Sequence, residues 1–295
     1  MAILEADLPG QEDAGSLSEV LYRRCYMHSI LEPAAAGDGG EDRDLTPALM
    51  AANAGRAAWD EGWRIDQALD GGRILARKGG AARTFLPGEY LTHRGLGAGP
   101  AGGKPVRIFL PEGSAEMQPG FYHAFGDTAG AYEEGERVLR FYWNVPAEGA
   151  PRLMEAVTRE FNRFQVPFQF KCGNRTGHYP RRDAAVLYLH ARYYAIAALL
   201  VERVHAGMGA SLDAGTPLFA KRLADGLGFA EDPGDSFGQH RSKILAEAMT
   251  ATRGQRAEER LEEVRWQFER RGLSLERPWL NAGSVDRYEF PFRAV

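Results

Sequence analysis

The chain has 295 residues, of which 44% are hydrophobic and 26% are charged, and its 36 basic and 40 acidic side chains leave a formal net charge of −4. This composition is typical of a globular protein with one large or two small domains. No apolar run is long enough to cross a bilayer and the N-terminus is acidic, so we expect a cytoplasmic protein that neither contacts a membrane nor carries a signal peptide. The near-neutral charge also argues against a nucleic-acid partner.

The cysteine and lysine counts are both informative. Two cysteines, Cys25 and Cys172, are too few for a disulfide scaffold or a cysteine-built zinc site, which fits a reducing compartment. Only five of the 36 basic residues are lysines: Lys78, Lys104, Lys171, Lys221 and Lys243. Because arginine is the usual cation in this sequence, a lysine beside other polar groups is a stronger indication of function than it would be elsewhere.

The first 70 residues are predicted to form a helical N-terminal region. The segment Ser16–Leu31 has apolar residues at a spacing close to 3.6 behind a serine cap. A second helix is predicted to start at Thr46, with proline in its first turn, and to continue through Trp59 and Trp63.

From residue 71 the pattern changes to short alternating runs. Between residues 71 and 145 these runs are separated by glycines and predict an antiparallel sheet, with a long connection at Gly95–Gly103 that we expect to close over a substrate. Helical and strand-like segments follow to the end of the chain. The sequence therefore predicts an α+β fold with N-terminal helices, a central antiparallel sheet and C-terminal mixed elements, in which residues 71–295 form one compact domain.

Several common types of catalytic site lack their local motif. The sequence contains no GxxxxGK[ST], no GxGxxG before a helix, no GxSxG and no HExxH. Its seven histidines include no pair at positions i and i+4, so no two of them would lie on one face of a helix as metal ligands. Nothing local indicates a metal or a nucleotide cofactor.

Two clusters of cationic and hydrogen-bonding residues follow predicted strands. The first contains Lys171, Asn174, Arg175, His178, Tyr179, Arg181, Arg182 and Asp183, and the second contains Lys221, Arg222, Glu231, Asp232, Ser236, His240, Arg241 and Lys243. Converging cations fit a phosphorylated or carboxylated ligand, because a guanidinium group matches two anionic oxygens at once. A partly buried lysine beside them would have a lowered pKa and could act as a base. The alternative interpretation is that these arginines only solvate loops.

Five sequence blocks in and beside these regions occur in a fixed order: RFYWNV, LMEAVTREFNRFQVPFQFK, HYPRRDAAVLYL, PLFAKRLADGLGFAEDP and SFGQHR. Together they resemble the Hop-A-type effector family, which is named for type III secretion effectors of plant-pathogenic bacteria. Relatives encoded in gene clusters for class V lanthipeptides and thioamitides are understood as lyases. The resemblance therefore implies a phosphoserine or phosphothreonine lyase. Its substrate would be a precursor peptide phosphorylated by a separate phosphotransferase-like kinase, and its products dehydroalanine or dehydrobutyrine, with no cofactor.

Elimination of phosphate needs a base for the Cα proton, cations around the leaving group, a donor to the carbonyl and an acid for the departing oxygen. For this reaction we assign Lys171 as the base, with Lys221 as the alternative. Tyr179 would polarise the carbonyl or orient Lys171. The acid is His178 or His240, which the sequence does not separate.

The predicted phosphate ligands are Arg181, Arg182, Lys221 and Arg241. In the block that contains Lys221 the family commonly has threonine before the lysine, whereas this chain has Ala220, so any role of that hydroxyl is missing here.

Other functions remain open. The same cations could hold a phosphopeptide without reaction, as a binding partner of a kinase. The chain could also be a secreted effector that acts on host signalling proteins, or an unrelated enzyme of sugar phosphates.

Overall fold

The computed structural model describes residues 2–6, 8–9, 13–29, 41–79, 81–92, 101–128, 135–179 and 181–291. Within these ranges the chain forms seven α-helices and two antiparallel sheets, which confirms the predicted α+β fold. No helix in the described ranges has both the length and the apolar character that crossing a bilayer requires.

The helices lie at both ends of the chain and between the strands of the larger sheet. They are α1 (Ala2–Glu5), α2 (Ala14–Leu21), α3 (Thr46–Ala52), α4 (Ala150–Arg163), α5 (Tyr194–Met208), α6 (Phe237–Ala251) and α7 (Ala257–Glu269). Helix α2 continues into a π-helical turn at Tyr22–Tyr26. Helix α6 packs between α2 and α7 around a shared apolar cluster that includes Leu17 and Phe268.

The smaller sheet has the strand order β3-β2-β1-β5-β4. Its strands are β1 (Ala58–Ala68), β2 (Ile74–Lys78), β3 (Ala81–Phe85), β4 (Tyr90–Thr92) and β5 (Pro105–Leu110). One face buries a separate apolar cluster around Trp63 and Ile74. The predicted domain boundary at residue 70 falls between β1 and β2, which pair with each other, and the division into domains stays a prediction.

The predicted helix from Thr46 through Trp63 is wrong beyond its first two turns. Helix α3 ends at Ala52, and Trp59 and Trp63 lie in strand β1. The spacing of four between the tryptophans misled the prediction because β1 contains a bulge, with its register shifted between Asp60 and Trp63 and Gly62 at φ +88°. The extra residue turns Trp63 into the core while Trp59 stays half-buried on the other face.

The larger sheet has the order β11-β12-β8-β10-β9-β7-β6. Its strands are β6 (Gly113–Ser114), β7 (Phe121–Phe125), β8 (Val138–Trp143), β9 (Gln169–Gly173), β10 (Ala185–His190), β11 (Lys221–Ala224) and β12 (Leu227–Glu231). The predicted central sheet is therefore two sheets, since β2–β5 belong to the smaller one and β6–β8 to the larger. Residues 95–100 of the predicted Gly-rich connection lie outside the described residues.

Alternation along the strands gives the larger sheet two different faces. In β8, Leu139, Phe141 and Trp143 join the main core with α4 and α5. Arg140 and Tyr142 point to the opposite face, where Tyr142 packs with Tyr26 of the π-helical turn and the start of α6. This second face carries the polar residues of the candidate site.

Candidate functional site

A cavity of about 310 Å³ lies between the second face of the larger sheet and the elements that cover it. We call it the central pocket. Its described lining residues are Tyr22, Tyr26, Gln118, Phe121, Arg140, Tyr142, Lys171, Arg181, Asp183, Val186, Tyr188, Ser236 and Gln239. Three of them are cationic and one is a carboxylate, so the pocket is suited to an anion.

The strand register explains why residues distant in sequence meet in this pocket. Lys171 of β9 is paired with Val186 of β10, which is paired with Tyr142 of β8. Tyr188 and Arg140 form the next pair on the same face. Because side chains alternate between faces, each strand contributes alternate residues to the pocket floor.

The walls of the pocket come from the helical elements. Tyr22 and Tyr26 of the π-helical turn stack with their ring centroids 5.4 Å apart. Ser236 caps α6, and its hydroxyl accepts from the Gln239 backbone at 3.4 Å. Gly238 permits the start of α6 to pack closely against Tyr26, since a Cβ at this position would lie 2.3 Å from the Tyr26 ring. The start of α6 therefore faces the pocket with the positive end of its dipole.

Both arginines of the pocket are held by carboxylates. Arg181 donates from Nε and Nη2 to the two oxygens of Asp183 at 2.8 and 2.9 Å, and from Nη2 to the Tyr22 hydroxyl at 3.3 Å. Burial opposes its charge, but Asp183 raises the pKa of Arg181 above its ordinary value. This bidentate pair fixes the guanidinium plane at the edge of the pocket.

Arg140 donates from Nη2 to Asp232 Oδ1 at 2.9 Å and to the Asp235 carbonyl at 2.7 Å. Its Nε and the hydroxyl of Tyr142 are buried without a hydrogen bond of good geometry to any described group. Burial raises the pKa of Tyr142 to about 12, so the hydroxyl keeps its proton. These two groups have almost no exposed surface, so the charge of Arg140, rather than its Nε, is what acts on a ligand in the pocket.

Lys171 is the pocket cation without a carboxylate partner among the described residues. Its Nζ donates to Gln118 Oε1 at 3.2 Å and lies 4.4 Å from the centroid of the Phe121 ring and 5.7 Å from that of Tyr188. Burial lowers the pKa of Lys171 to about 8, and the charges of Arg140 and Arg181 add to this effect while Asp183 opposes it. A substantial fraction of Lys171 is therefore the neutral amine near pH 8.

The structure brings Lys171 and Arg181 of the predicted site together in the central pocket and places His178 and Tyr179 elsewhere. His178 donates from Nδ1 to the Gly120 carbonyl at 2.9 Å and stacks on Phe121, and it is not among the residues that line the pocket. Tyr179 is buried in the main core, where its hydroxyl donates to the Gly173 carbonyl at 2.6 Å. The roles assigned to these two residues stay predictions.

The predicted ligands Arg182 and Lys221 are also engaged away from the central pocket. Arg182 donates to the Thr216 carbonyl at 3.3 Å. Lys221 donates to both oxygens of Asp286 at 2.9 Å and to the Tyr288 carbonyl at 2.8 Å, beside a different cavity. Lys221 therefore anchors the C-terminal segment to the edge strand β11.

Arg241 has a similar anchoring role deep in the protein. It is fully buried and donates from Nε and Nη2 to the carbonyls of Pro278 and Leu280, both at 2.9 Å. Its Nη1 donates to His240 Nδ1 at 2.7 Å. Burial lowers the pKa of Arg241 to about 10. Burial also lowers the pKa of His240, and the neighbouring charge of Arg241 adds to that effect. Neither residue lines the central pocket.

Arg140 and the four tyrosines of the pocket are the residues that sequence reasoning missed. The block RFYWNV contained the signal, since Arg140 and Tyr142 alternate with the apolar Phe141 and Trp143. Phe141 and Trp143 lie in the main core, whereas Tyr142 on the opposite face lines the pocket. Among the described residues, His, Cys, Asp and Glu form no group of three able to hold a metal ion.

Comparisons with known proteins agree with the resemblance noted in the sequence. No curated protein matches the chain. A solved structure of the effector protein from Pseudomonas syringae pv. tomato strain DC3000 is similar, with 22% identity and a TM-score of 0.45. That from Pseudomonas syringae pv. syringae strain 61 has 23% identity and the same TM-score. Each alignment covers 57% of this chain and 66% of the effector, just under two thirds of its length.

Residues 113–280, which include both β8–β10 and the start of α6, match the family described as the HopA1 effector protein family. The match extends over more than half of the chain, so the protein belongs to the HopA1 effector protein family.

Proposed function

We propose that the protein is a phosphoserine or phosphothreonine lyase that acts on a kinase-phosphorylated precursor peptide. The observation that carries this proposal is the position of Lys171, an amine with its pKa lowered to about 8, in one pocket with Arg140 and Arg181. A base and two phosphate-matching cations are the groups that phosphate elimination requires.

The proposed step begins with transfer of the Cα proton to the neutral amine of Lys171. The electron pair of the Cα–H bond forms the Cα=Cβ bond, and the Cβ–O bond breaks with its electrons leaving on phosphate. A bound phosphate dianion would by itself raise the pKa of Lys171 and so leave less of it as the neutral amine at neutral pH. Arg140 and Arg181 would offset that effect, because they neutralise the phosphate beside the lysine.

Tyr22 is the acid that we favour for the departing oxygen. Its hydroxyl oxygen accepts from Arg181, and its other side-chain partner is Ser236, so the hydroxyl proton would turn from Ser236 towards the departing oxygen. Burial raises the pKa of Tyr22, so it is protonated at neutral pH. We prefer it to His178 and His240 because neither histidine lines the central pocket.

Two alternatives use the same pocket. A non-catalytic phosphopeptide-binding partner of a kinase would need the arginines but no free amine. An effector that acts on phosphorylated host signalling proteins is consistent with the family and with the effectors among the solved structures. The lowered pKa of Lys171 favours a reaction over binding alone, since a purely anion-binding lysine gains from remaining charged.

The direct test is to incubate the protein with a phosphorylated precursor peptide and to follow loss of phosphoric acid by mass spectrometry, with thiol addition to trap the dehydroamino acid. A synthetic phosphopeptide and a peptide phosphorylated by a phosphotransferase-like kinase would be compared. We expect elimination by the wild-type protein and a rate lower by about 10²-fold or more for Lys171→Met. The matched control is Lys243→Met, since Lys243 is exposed and lies outside the central pocket.

The outcomes separate the alternatives. Retained phosphate with the wild-type protein and its kinase partner rules out the lyase, and tight binding without elimination supports the phosphopeptide-binding partner. Elimination at the wild-type rate by Lys171→Met leaves a lyase but removes Lys171 as its base. Activity confined to phosphorylated host proteins would favour the effector.

A further inference from the structure

A second cavity, of about 310 Å³, lies beside the central pocket, at one end of strands β8, β9, β10 and β12. We call it the flanking pocket. Tyr188 lines both cavities, and Asp232, which holds Arg140 of the central pocket, lines the flanking pocket. The two pockets are therefore neighbours, separated by Tyr188 and the Arg140–Asp232 pair, and a peptide that crosses these side chains would reach both.

The polar side chains around the flanking pocket are already bonded within the protein. Asp232 accepts from Arg140 at 2.9 Å, Gln169 donates to His123 at 2.8 Å, and His190 Nδ1 lies 3.2 Å from a Glu136 oxygen. Of the eight described lining residues, five are apolar or aromatic. An occupant would therefore gain free energy by burying carbon, whereas a charged occupant would lose water without gaining a free partner.

The distance between the two pockets matches a short stretch of extended peptide. Val138 of the flanking pocket and Tyr142 of the central pocket are four residues apart on the same face of β8. At about 3.4 Å per residue they are separated by about 14 Å along the strand. A peptide with its phosphorylated residue beside Lys171 would place a side chain about two to four residues away over the flanking pocket.

We propose that the flanking pocket is a specificity subsite for a bulky apolar side chain of the phosphopeptide held in the central pocket. The nature of this substrate rests on the proposed function, while the subsite itself rests on the position of the second cavity beside the first, with Tyr188 in common, and on its carbon lining. A free sugar phosphate has no group of this kind, so the subsite selects peptides.

The test measures binding of unreactive peptides in which α-methylphosphoserine replaces phosphoserine. These peptides lack the Cα proton and bind without elimination. A series with Leu, Ala or Asp at each of the four positions on both sides would be titrated by fluorescence anisotropy. We expect Leu to bind about tenfold more tightly than Ala at one of these positions, and Asp to bind no better than Ala. Equal affinities for Leu, Ala and Asp at every position overturn the proposal.

Two variants locate the subsite. Val138→Trp fills the flanking pocket, so it should abolish the preference for Leu while leaving the affinity of the Ala peptide within about twofold. Val285→Trp is the matched control, because Val285 is 63% exposed and lines neither pocket. If Val138→Trp does not fold, Val138→Ala enlarges the pocket and should move the preference from Leu towards Phe. If a folded Val138 variant still binds the Leu peptide with the same preference as the wild type, the apolar side chain binds elsewhere and the proposal is overturned.

The same peptides distinguish failure of the subsite from failure of the proposed function. A preference for Leu without elimination of the matching phosphoserine peptide refutes the lyase and retains the subsite. Elimination with no preference at any position refutes the subsite and retains the lyase.

Discussion

Replacing Lys171 by methionine is expected to stabilise the protein at neutral pH while removing the proposed base. The buried amine has its pKa lowered from 10.5 to about 8. At about 1.4 kcal/mol per pKa unit, keeping the ammonium ion charged in the fold costs about 3 kcal/mol relative to the unfolded chain. The contact with the Phe121 ring at 4.4 Å returns about 1 kcal/mol. Methionine keeps the apolar stem, so we expect Lys171→Met to raise the free energy of unfolding by about 2 kcal/mol at pH 7.

The pH dependence of this gain identifies its cause. Below about pH 8 lysine is charged in both the folded and unfolded states, so the full gain is present. Between about pH 8 and 10.5 the unfolded chain binds more protons than the folded protein, and the stability of the wild type therefore rises with pH towards that of the variant. Above pH 10.5 the electrostatic difference disappears.

Urea unfolding of both proteins at a series of pH values between 7 and 10.5 would measure the effect, and taking the difference between them cancels the titration of other groups. Lys243→Met, at an exposed position, should change the free energy of unfolding by no more than about 0.5 kcal/mol. The reasoning is refuted if Lys171→Met lowers stability at pH 7, or if its effect is the same throughout this pH range.

Three further predictions follow from the site. If Lys171 is the base, as we propose, the elimination rate should rise with pH and level off above about pH 8, because only the neutral amine accepts the proton. A rate that falls over this range would contradict that role. Arg181→Met should weaken binding of an α-methylphosphoserine peptide by about tenfold or more, whereas Arg241→Met should leave the affinity of the folded protein unchanged, because Arg241 donates to the carbonyls of Pro278 and Leu280 and does not line the central pocket. Titration calorimetry gives both affinities, and a reversed pattern would restore Arg241 as a ligand. Gly238→Ala should displace the Tyr26 ring, because the added Cβ would overlap it. We expect this to lower the free energy of unfolding by about 1–3 kcal/mol and to weaken peptide binding. Unchanged thermal unfolding would show that the ring has room to move.

Helices and strands can be recognised in the sequence where the spacing of apolar residues reflects only the burial of one face. The amphipathic pattern of α4 and the alternation of β8 and β10 follow from burial of one face, which local spacing reports directly. The pattern failed at β1, where a bulge gave two tryptophans a helical spacing. It also joined strands of two different sheets, because strand pairing depends on contacts between distant segments that no local pattern records.

For the site, the sequence by itself indicated the family and made Lys171 and Arg181 candidates, because local blocks and a rare lysine beside arginines are visible along the chain. Only the tertiary structure decided which other cations share their pocket. Arg241 and Lys221 were equally cationic in sequence, yet the fold uses them to hold carbonyls and a carboxylate of the C-terminal segment. Arg140 was hidden in an aromatic strand and lies in the pocket. The physical reason is that the role of a cation depends on which acceptors the fold brings within hydrogen-bond distance, and pairing of distant strands and helices sets that distance.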